Sequence, residues 1–143
     1  MCCSEASAAA ATRVLVCFNT EPTAQMLIRG AARLATGLKA ELYALYVERP
    51  GASTRRTPAA SAQLARNQRL AHDLGAQIVV ARSHRVADSI LAFAHQHAIT
   101  VIVLGEPHAA WWQRLCRGDV VKRIKKHSDT FDVRVIADDG VML

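Results

Sequence analysis

The stretch Thr100–Ile124 reads TVIVLGEPHAAWWQRLCRGDVVKRI and decides the predicted fold. It opens with an unbroken apolar run that Gly105 ends, and the helix pattern that closes it covers about Asp119–His127. A short apolar run bounded by glycine is typical of a strand that is buried on both faces of a parallel sheet. The stretch therefore predicts a strand, a long loop at the carboxyl end of that strand, and a helix.

The same alternation of strand and helix runs through the rest of the chain. Apolar runs predict strands at 13–18, 41–48, 76–81, 100–105 and 132–137, and helical spacing predicts helices between them. Thr20 is predicted to cap the first helix and Gly37 to end it. This order predicts an α/β domain with a five-stranded parallel sheet, strand order 3-2-1-4-5, and helices on both faces. We expect a disordered leader at 1–12, the domain at 13–138 and a tail at 139–143.

Composition and charge narrow the classes of partner. A chain of 143 residues suits one domain with one core. No apolar run reaches membrane length, and the leader lacks the basic and apolar regions of a signal peptide, so we expect a cytoplasmic location and no membrane contact by this segment. The net charge of +6 favours anionic partners. Nucleic acid is not predicted, because aromatic residues are 5% of the chain and no single basic block dominates.

Neither a metal site nor a catalytic site is predicted. The four cysteines form no C-x-x-C pair, which fits incidental thiols in a reducing compartment. His95 and His97 lie two residues apart on a predicted helix and so point to different faces. Ser83 and His84 are chain neighbours without an orienting acid. We therefore expect a binding domain without enzymatic activity.

The element order resembles that of the universal stress protein family. ATP-binding members carry Gly-x-x-Gly, nine further residues and then Gly-Ser/Thr after the fourth strand. In this chain Gly105 and Gly118 fit that pattern, whereas His108 replaces the second glycine and Asp119 replaces the hydroxyl residue. Asn19 stands near the position where ATP-binding members usually have an aspartate. The resemblance thus implies a nucleotide loop that keeps two of its four motif positions.

A narrower resemblance is to the universal-stress-like domain of the KdpD potassium-sensor histidine kinases. It lies in the segments AELYALYVERP, RNQRLAHDLGA and VIVLGEPHAAWWQRLCRGDVVKRI and covers about Arg13 to Ala137. The resemblance implies a regulatory input domain in potassium or osmotic signalling. The alternative is a free-standing universal stress protein that binds ATP or another adenine nucleotide. No phosphate-loop motif or membrane span of a KdpD kinase occurs in this chain, so both contexts stay open.

The predicted ligand site lies where the winding of the sheet reverses, between the first and fourth strands. It comprises residues from three strand ends and the long loop: Asn19, Thr20, Val47, Gly105, His108, Arg117, Gly118 and Asp119. Gly105 would let backbone N–H groups approach an anion, or would simply make a tight turn.

Asp119 argues against tight ATP binding at this site. As a helix N-cap, its carboxylate competes for the N–H groups that a phosphate would use. Two like unit charges at 4 Å repel by ~1 kcal/mol in water and ~4 kcal/mol at an effective dielectric of 20. Three basic side chains offset part of this repulsion: Arg114, Arg117 and Lys122. We assign no cofactor; ATP stays open as a ligand, as does cyclic di-AMP, which some KdpD domains of this class bind.

Two features predict protein partners. Of the adjacent Trp111 and Trp112, we expect one to point inward and the other to form a partner anchor on the surface. The last strand is expected at a sheet edge, where Val133 and Val135 would take part in a homodimer. Other universal stress proteins, or the remainder of a sensor kinase, are the further partners that the resemblance implies.

Overall fold

The protein is described by a computed structural model at residues 12–105, 124, 126 and 131–136. Its elements in chain order are β1 (Arg13–Cys17), α1 (Ala24–Leu38), β2 (Glu41–Glu48), α2 (Ala52–Arg55), α3 (Pro58–Asp73), β3 (Gln77–Arg82), α4 (Val86–Gln96), β4 (Val101–Gly105) and β5 (Asp132–Ile136). All five predicted strands are confirmed. The predicted helix at 119–127 lies outside the described residues except for Ile124, which is helical and buried, and Lys126.

The sheet has the strand order β3-β2-β1-β4-β5, and all its pairs are parallel. This confirms the predicted order. From β1 the chain winds outward through β2 and β3, then returns to β4 and β5 on the other side of β1. The winding therefore reverses between β1 and β4, whose carboxyl ends lie side by side at one edge of the sheet.

The strands bury side chains on both faces, which creates two apolar clusters. On one face Val14, Val16 and the neighbouring strand residues pack against α1 and α3. On the other face Leu15 and its neighbours pack against α4, Ile124 and Phe131. Helices cover both faces, as predicted, because alternate residues of each buried strand point to opposite sides.

The start of α1 corrects one expectation from the sequence. The helix begins at Ala24, and Thr23 rather than Thr20 holds the N-cap position, without a side-chain capping bond. The reason is a turn that precedes the helix: Oδ1 of Asn19 accepts a hydrogen bond of 2.8 Å from the backbone N–H of Glu21. Asparagine favours such turns because its side chain can accept from the backbone two residues on.

Three helices end in the same hydrogen-bond pattern, the Schellman motif. A residue with left-handed φ follows each helix: Lys39 at 54°, Gly75 at 89° and Ala98 at 53°. The next backbone N–H then reaches back by five residues, as in the 2.8 Å bond from Ala40 to the carbonyl of Ala35. The predicted end of α1 at Gly37 is wrong, because Leu38 is still helical and Lys39 makes the turn.

The polar segment between β2 and α3 contains the short helix α2. α3 then begins cleanly at Pro58, the first helical position, where a missing N–H costs nothing. Thr57 caps it, since its hydroxyl accepts a 3.0 Å hydrogen bond from the N–H of Ala60. This cap sets the direction of α3 across the first cluster.

Candidate ligand site at the carboxyl edge of the sheet

The fold brings four of the predicted site residues to one edge of the sheet. Cys17 of β1 is paired with Leu45 of β2, so Asn19 and Val47 each lie two residues beyond that pair. Gly105 ends β4, the other neighbour of β1. Thr20 follows Asn19 in the loop between β1 and α1. These four residues thus belong to three adjacent strand ends, where parallel sheets bind ligands.

The remaining predicted residues lie outside the described part of the chain. They are His108, Arg117, Gly118 and Asp119 of the predicted site, together with Trp111 and Trp112 of the predicted partner surface. Their roles stay predictions from the sequence.

The loop between β1 and α1 leaves several hydrogen-bond donors without a partner among the described residues. The carbonyl oxygens of Asn19 and Glu21 both accept from the side chain of Asn67, at 2.8 and 3.0 Å. Within the described residues, Nδ2 of Asn19, the hydroxyl of Thr20 and the backbone N–H of Thr20 have no hydrogen-bond partner. A loop with engaged carbonyls and unengaged donors suits a ligand that is rich in acceptor atoms.

Gly105 is not explained by packing within the described residues. Its φ lies outside the left-handed region. A Cβ built on Gly105 would lie 3.5 Å from Cδ2 of Leu27, which is ordinary van der Waals contact. Gly105 also keeps its place in the sheet, opposite Ile136 of β5. Neither the φ of Gly105 nor its described neighbours therefore require a glycine at this position.

A buried ion pair closes the same edge at the end of β2, and the sequence analysis missed it. Oε1 of Glu48 lies 3.2 Å from Nη1 of Arg56, and Oε2 lies 3.6 Å from Nε of Arg82. Arg56 also donates to the hydroxyl of Tyr46 at 3.2 Å. Burial raises the pKa of Tyr46, which keeps this hydroxyl protonated. The only available signal was an acidic residue at the end of an apolar strand.

The single carboxylate of Glu48 lies beside the two guanidinium groups of Arg56 and Arg82. The net charge of these three side chains at the end of β2 is therefore positive. Nε of Arg49, the next residue, is buried and has no hydrogen-bond partner in the described part of the chain. An unpaired buried guanidinium nitrogen is unfavourable unless something else approaches it. The carboxyl edge is therefore suited to an anionic or acceptor-rich ligand.

Ser83 and Cys17 are not placed as activated nucleophiles. Oγ of Ser83 accepts from the N–H of Arg85 at 2.9 Å and is thereby engaged in a local turn, not with His84. Burial raises the pKa of the Cys17 thiol, which packs against the second cluster and is a poor nucleophile. Over the residues that the structure describes, no group of three or more His, Cys, Asp or Glu side chains could hold a metal ion.

None of the described helices has both the length and the apolar content that crossing a membrane requires.

The predicted dimer strand lies at an edge of the sheet, as expected. β5 pairs with β4 in the described sheet, and Val133 is half-buried against the second cluster. The N–H of Asp132 donates to the carbonyl of Thr100 at 2.9 Å. In a parallel ladder alternate residues face the same neighbour, so the backbone groups of Val133 and Val135 point away from β4. The side chain of Val135 lies outside the described part.

Comparisons with known proteins agree on one family. The sequence model of the Universal stress protein family matches residues 11–136. The chain is 30% identical over 118 residues to the sensor protein KdpD of Escherichia coli and 32% identical over 134 residues to that of Clostridium acetobutylicum. It is 28% identical over 126 residues to the putative sensor protein KdpD of Synechocystis.

These matches cover 81%, 92% and 88% of this chain but only 13%, 15% and 34% of the three relatives. The chain thus spans about a third or less of the length of these curated relatives.

Solved structures share the fold. A universal stress protein in complex with cAMP aligns over 90% of this chain and 98% of its own, with a TM-score of 0.65 and 19% identity. The universal stress protein UspA from Lactobacillus plantarum aligns over 88% and 96%, with a TM-score of 0.56 and 23% identity. At these identities the likeness concerns the arrangement of the elements.

Proposed function

Since the chain belongs to the universal stress protein family, we propose that it is a non-catalytic regulatory domain of the KdpD type, acting in potassium or osmotic signalling. The observation that carries the proposal is the likeness to three sensor proteins KdpD along 81–92% of this chain. An input domain of a sensor kinase is expected to align along most of its own length with only a small part of each full-length kinase. We place it in the cytoplasm, with the remainder of a sensor kinase as its partner.

The proposed domain responds to a ligand at the carboxyl edge of the sheet rather than turning over a substrate. The unengaged donors of Asn19 and Thr20 support binding of a ligand rich in acceptors. Departures from the family's ATP motif at His108 and Asp119 favour weak ATP binding. The regulatory signal would then be a change at this edge that the attached kinase reads.

A domain exchange tests the proposed role. The corresponding domain of Escherichia coli KdpD would be replaced by residues 11–136 of this chain, and autophosphorylation would be measured at low and high potassium. We expect the chimera to keep a potassium-dependent change in activity. A matched control carries Asn19→Ala with Thr20→Ala, which removes the two side-chain donors. A folded chimera whose activity ignores potassium would contradict the proposal.

The alternative is a free-standing universal stress protein that binds an adenine nucleotide. It is supported by the shared fold with a universal stress protein solved with cAMP. Protein purified without added nucleotide distinguishes the two, because a tight adenine-nucleotide binder retains its ligand. Stoichiometric adenine nucleotide in the denatured extract would favour the alternative, and its absence would favour the regulatory domain.

A further inference from the structure

The strongest unassigned feature is a buried polar side chain behind the candidate site. Asn67 of α3 is fully buried, and Leu64 and Ala71 on the same side of the helix belong to the first apolar cluster. A buried amide is unfavourable in apolar surroundings unless its hydrogen bonds are satisfied. The hydrogen-bond partners of Asn67 should therefore explain why a polar residue is buried at this position.

Asn67 satisfies its amide across the gap to the β1–α1 loop. Both hydrogens of Nδ2 are used, one on the carbonyl of Asn19 at 2.8 Å and one on the carbonyl of Glu21 at 3.0 Å. Oδ1 accepts from Nε2 of Gln63 at 2.9 Å. Oε1 of Gln63 in turn accepts from Nη2 of Arg66 at 2.8 Å.

Arg66 fixes the direction of this chain of hydrogen bonds. A guanidinium group only donates, so Oε1 of Gln63 must accept and Nε2 of Gln63 must face Asn67. Oδ1 of Asn67 then accepts, which leaves Nδ2 to donate to the two loop carbonyls. The carbonyls of Asn19 and Glu21 can only accept, so they require the same orientation of the Asn67 amide from the other end of the network.

We propose that Asn67 is the positioning residue of the ligand site: by binding the carbonyls of Asn19 and Glu21, it holds the β1–α1 loop in the conformation that leaves the side-chain donors of Asn19 and Thr20 available to a ligand. This deepens the proposed function and rests on it, since the ligand edge is the same. A second hydrogen bond, within the loop itself, supports the same conformation: Oδ1 of Asn19 accepts from the N–H of Glu21. Asn67 itself touches no ligand in this account.

Two substitutions separate positioning from mere stability. Asn67→Asp keeps the shape, but a carboxyl group has at most one hydrogen to donate, so at least one loop carbonyl loses its partner. Gln63→Leu is the matched control, because it breaks the same network on the side away from the loop and leaves Nδ2 of Asn67 in place. Should Asn67→Asp not fold, as judged by circular dichroism, Asn67→Ser offers one donor in a smaller side chain.

The first readout is the loop itself, by hydrogen exchange of the Glu21 amide. We expect exchange to be about tenfold faster in Asn67→Asp, because the loss of one hydrogen bond corresponds to about that factor. We expect exchange to be little changed in Gln63→Leu. The second readout is titration with Mg-ATP followed by the backbone amide signal of Thr20. We expect binding to be about tenfold weaker in Asn67→Asp and within about twofold of the parent in Gln63→Leu.

The two measurements test different parts of the proposal. If the unmodified protein binds no nucleotide, the ligand part of the proposed function falls, and the exchange of Glu21 still decides whether Asn67 positions the loop. Unchanged exchange and binding in Asn67→Asp would overturn the inference. Equal losses in both variants would also overturn it, because they would show that Asn67 acts only through general stability.

Discussion

Nη1 of Arg56 lies 3.2 Å from Oε1 of Glu48, and the two side chains are only 15% and 10% exposed. The second guanidinium at the same carboxylate belongs to Arg82, at 3.6 Å, and that side chain is 77% exposed. One carboxylate thus has a buried partner and a solvated partner. The pair closes the end of β2 beside the candidate ligand edge, where an unpaired carboxylate would repel an anion.

Removing the two partners of Glu48 should have unequal effects. Arg56→Met leaves a buried carboxylate with a distant, solvated partner and should lower the free energy of unfolding by about 3 kcal/mol. Arg82→Met removes an exposed partner and should lower it by less than about 1 kcal/mol. Urea denaturation of both variants measures the difference. Equal losses would show that the buried geometry of Arg56 contributes nothing special.

The shared Schellman motif gives a prediction about helix ends. Ala98 holds a left-handed φ of 53° that glycine adopts without strain. Ala98→Gly should therefore raise the free energy of unfolding by about 1 kcal/mol, and Gly75→Ala, at φ 89°, should lower it by about the same amount. Thermal denaturation tests both. A loss of stability in Ala98→Gly would contradict the assigned helix end.

The thiol of Cys17, which is partly buried against the second cluster, predicts a pH dependence. Its pKa is raised by burial, so the folded protein keeps the proton while the unfolded chain releases it above about pH 8.5. The unfolded state then binds fewer protons than the folded state, and stability falls as pH rises, by up to about 1.4 kcal/mol per pH unit. Cys17→Ala should be less stable at neutral pH but should show a shallower decline between pH 8.5 and 10. Parallel slopes would mean that Cys17 ionises in the folded protein.

The position of β5 at the edge of the described sheet predicts a homodimer in concentrated solution. Backbone groups of Val133 and Val135 face that edge, whereas Asp132 donates inward to β4. Val135→Pro removes one outward N–H without removing an inward one, so it should yield a folded monomer. Light scattering across a concentration series measures this. A parent protein that stays monomeric, or a dimer that survives Val135→Pro, would exclude pairing through β5.

The sheet could be predicted from the sequence because its strands are buried on both faces. Runs such as Val14–Val16 carry no polar residue, and glycines or polar segments separate them from the helices. The order of the strands then follows from short right-handed connections. The start of α1 was placed wrongly because two readings of the segment compete locally: Thr20 could cap a helix, but the side chain of Asn19 makes a turn with the N–H of Glu21 instead.

The candidate site was predictable in position but not in chemistry. Its place at the ends of β1 and β4 follows from the strand order alone. The chemistry depends on contacts between different segments of the chain. Asn67 donates to the loop carbonyls, and Glu48 pairs with Arg56. No local pattern of residue types encodes such contacts, since Asn67 stands in an ordinary helical sequence. They had to be read from the structure.

Calorimetric titration with Mg-ATP tests the central claim most directly, namely that the loop after β4 is a remodelled nucleotide loop. We expect a dissociation constant in the high micromolar range or weaker, roughly −5 kcal/mol or less favourable, for the unmodified protein. His108→Gly with Asp119→Ser should tighten binding, because the repelling carboxylate is removed while a capping hydroxyl is kept. Low-micromolar binding by the unmodified protein would contradict this, because it would show that the basic residues Arg114, Arg117 and Lys122 outweigh the carboxylates.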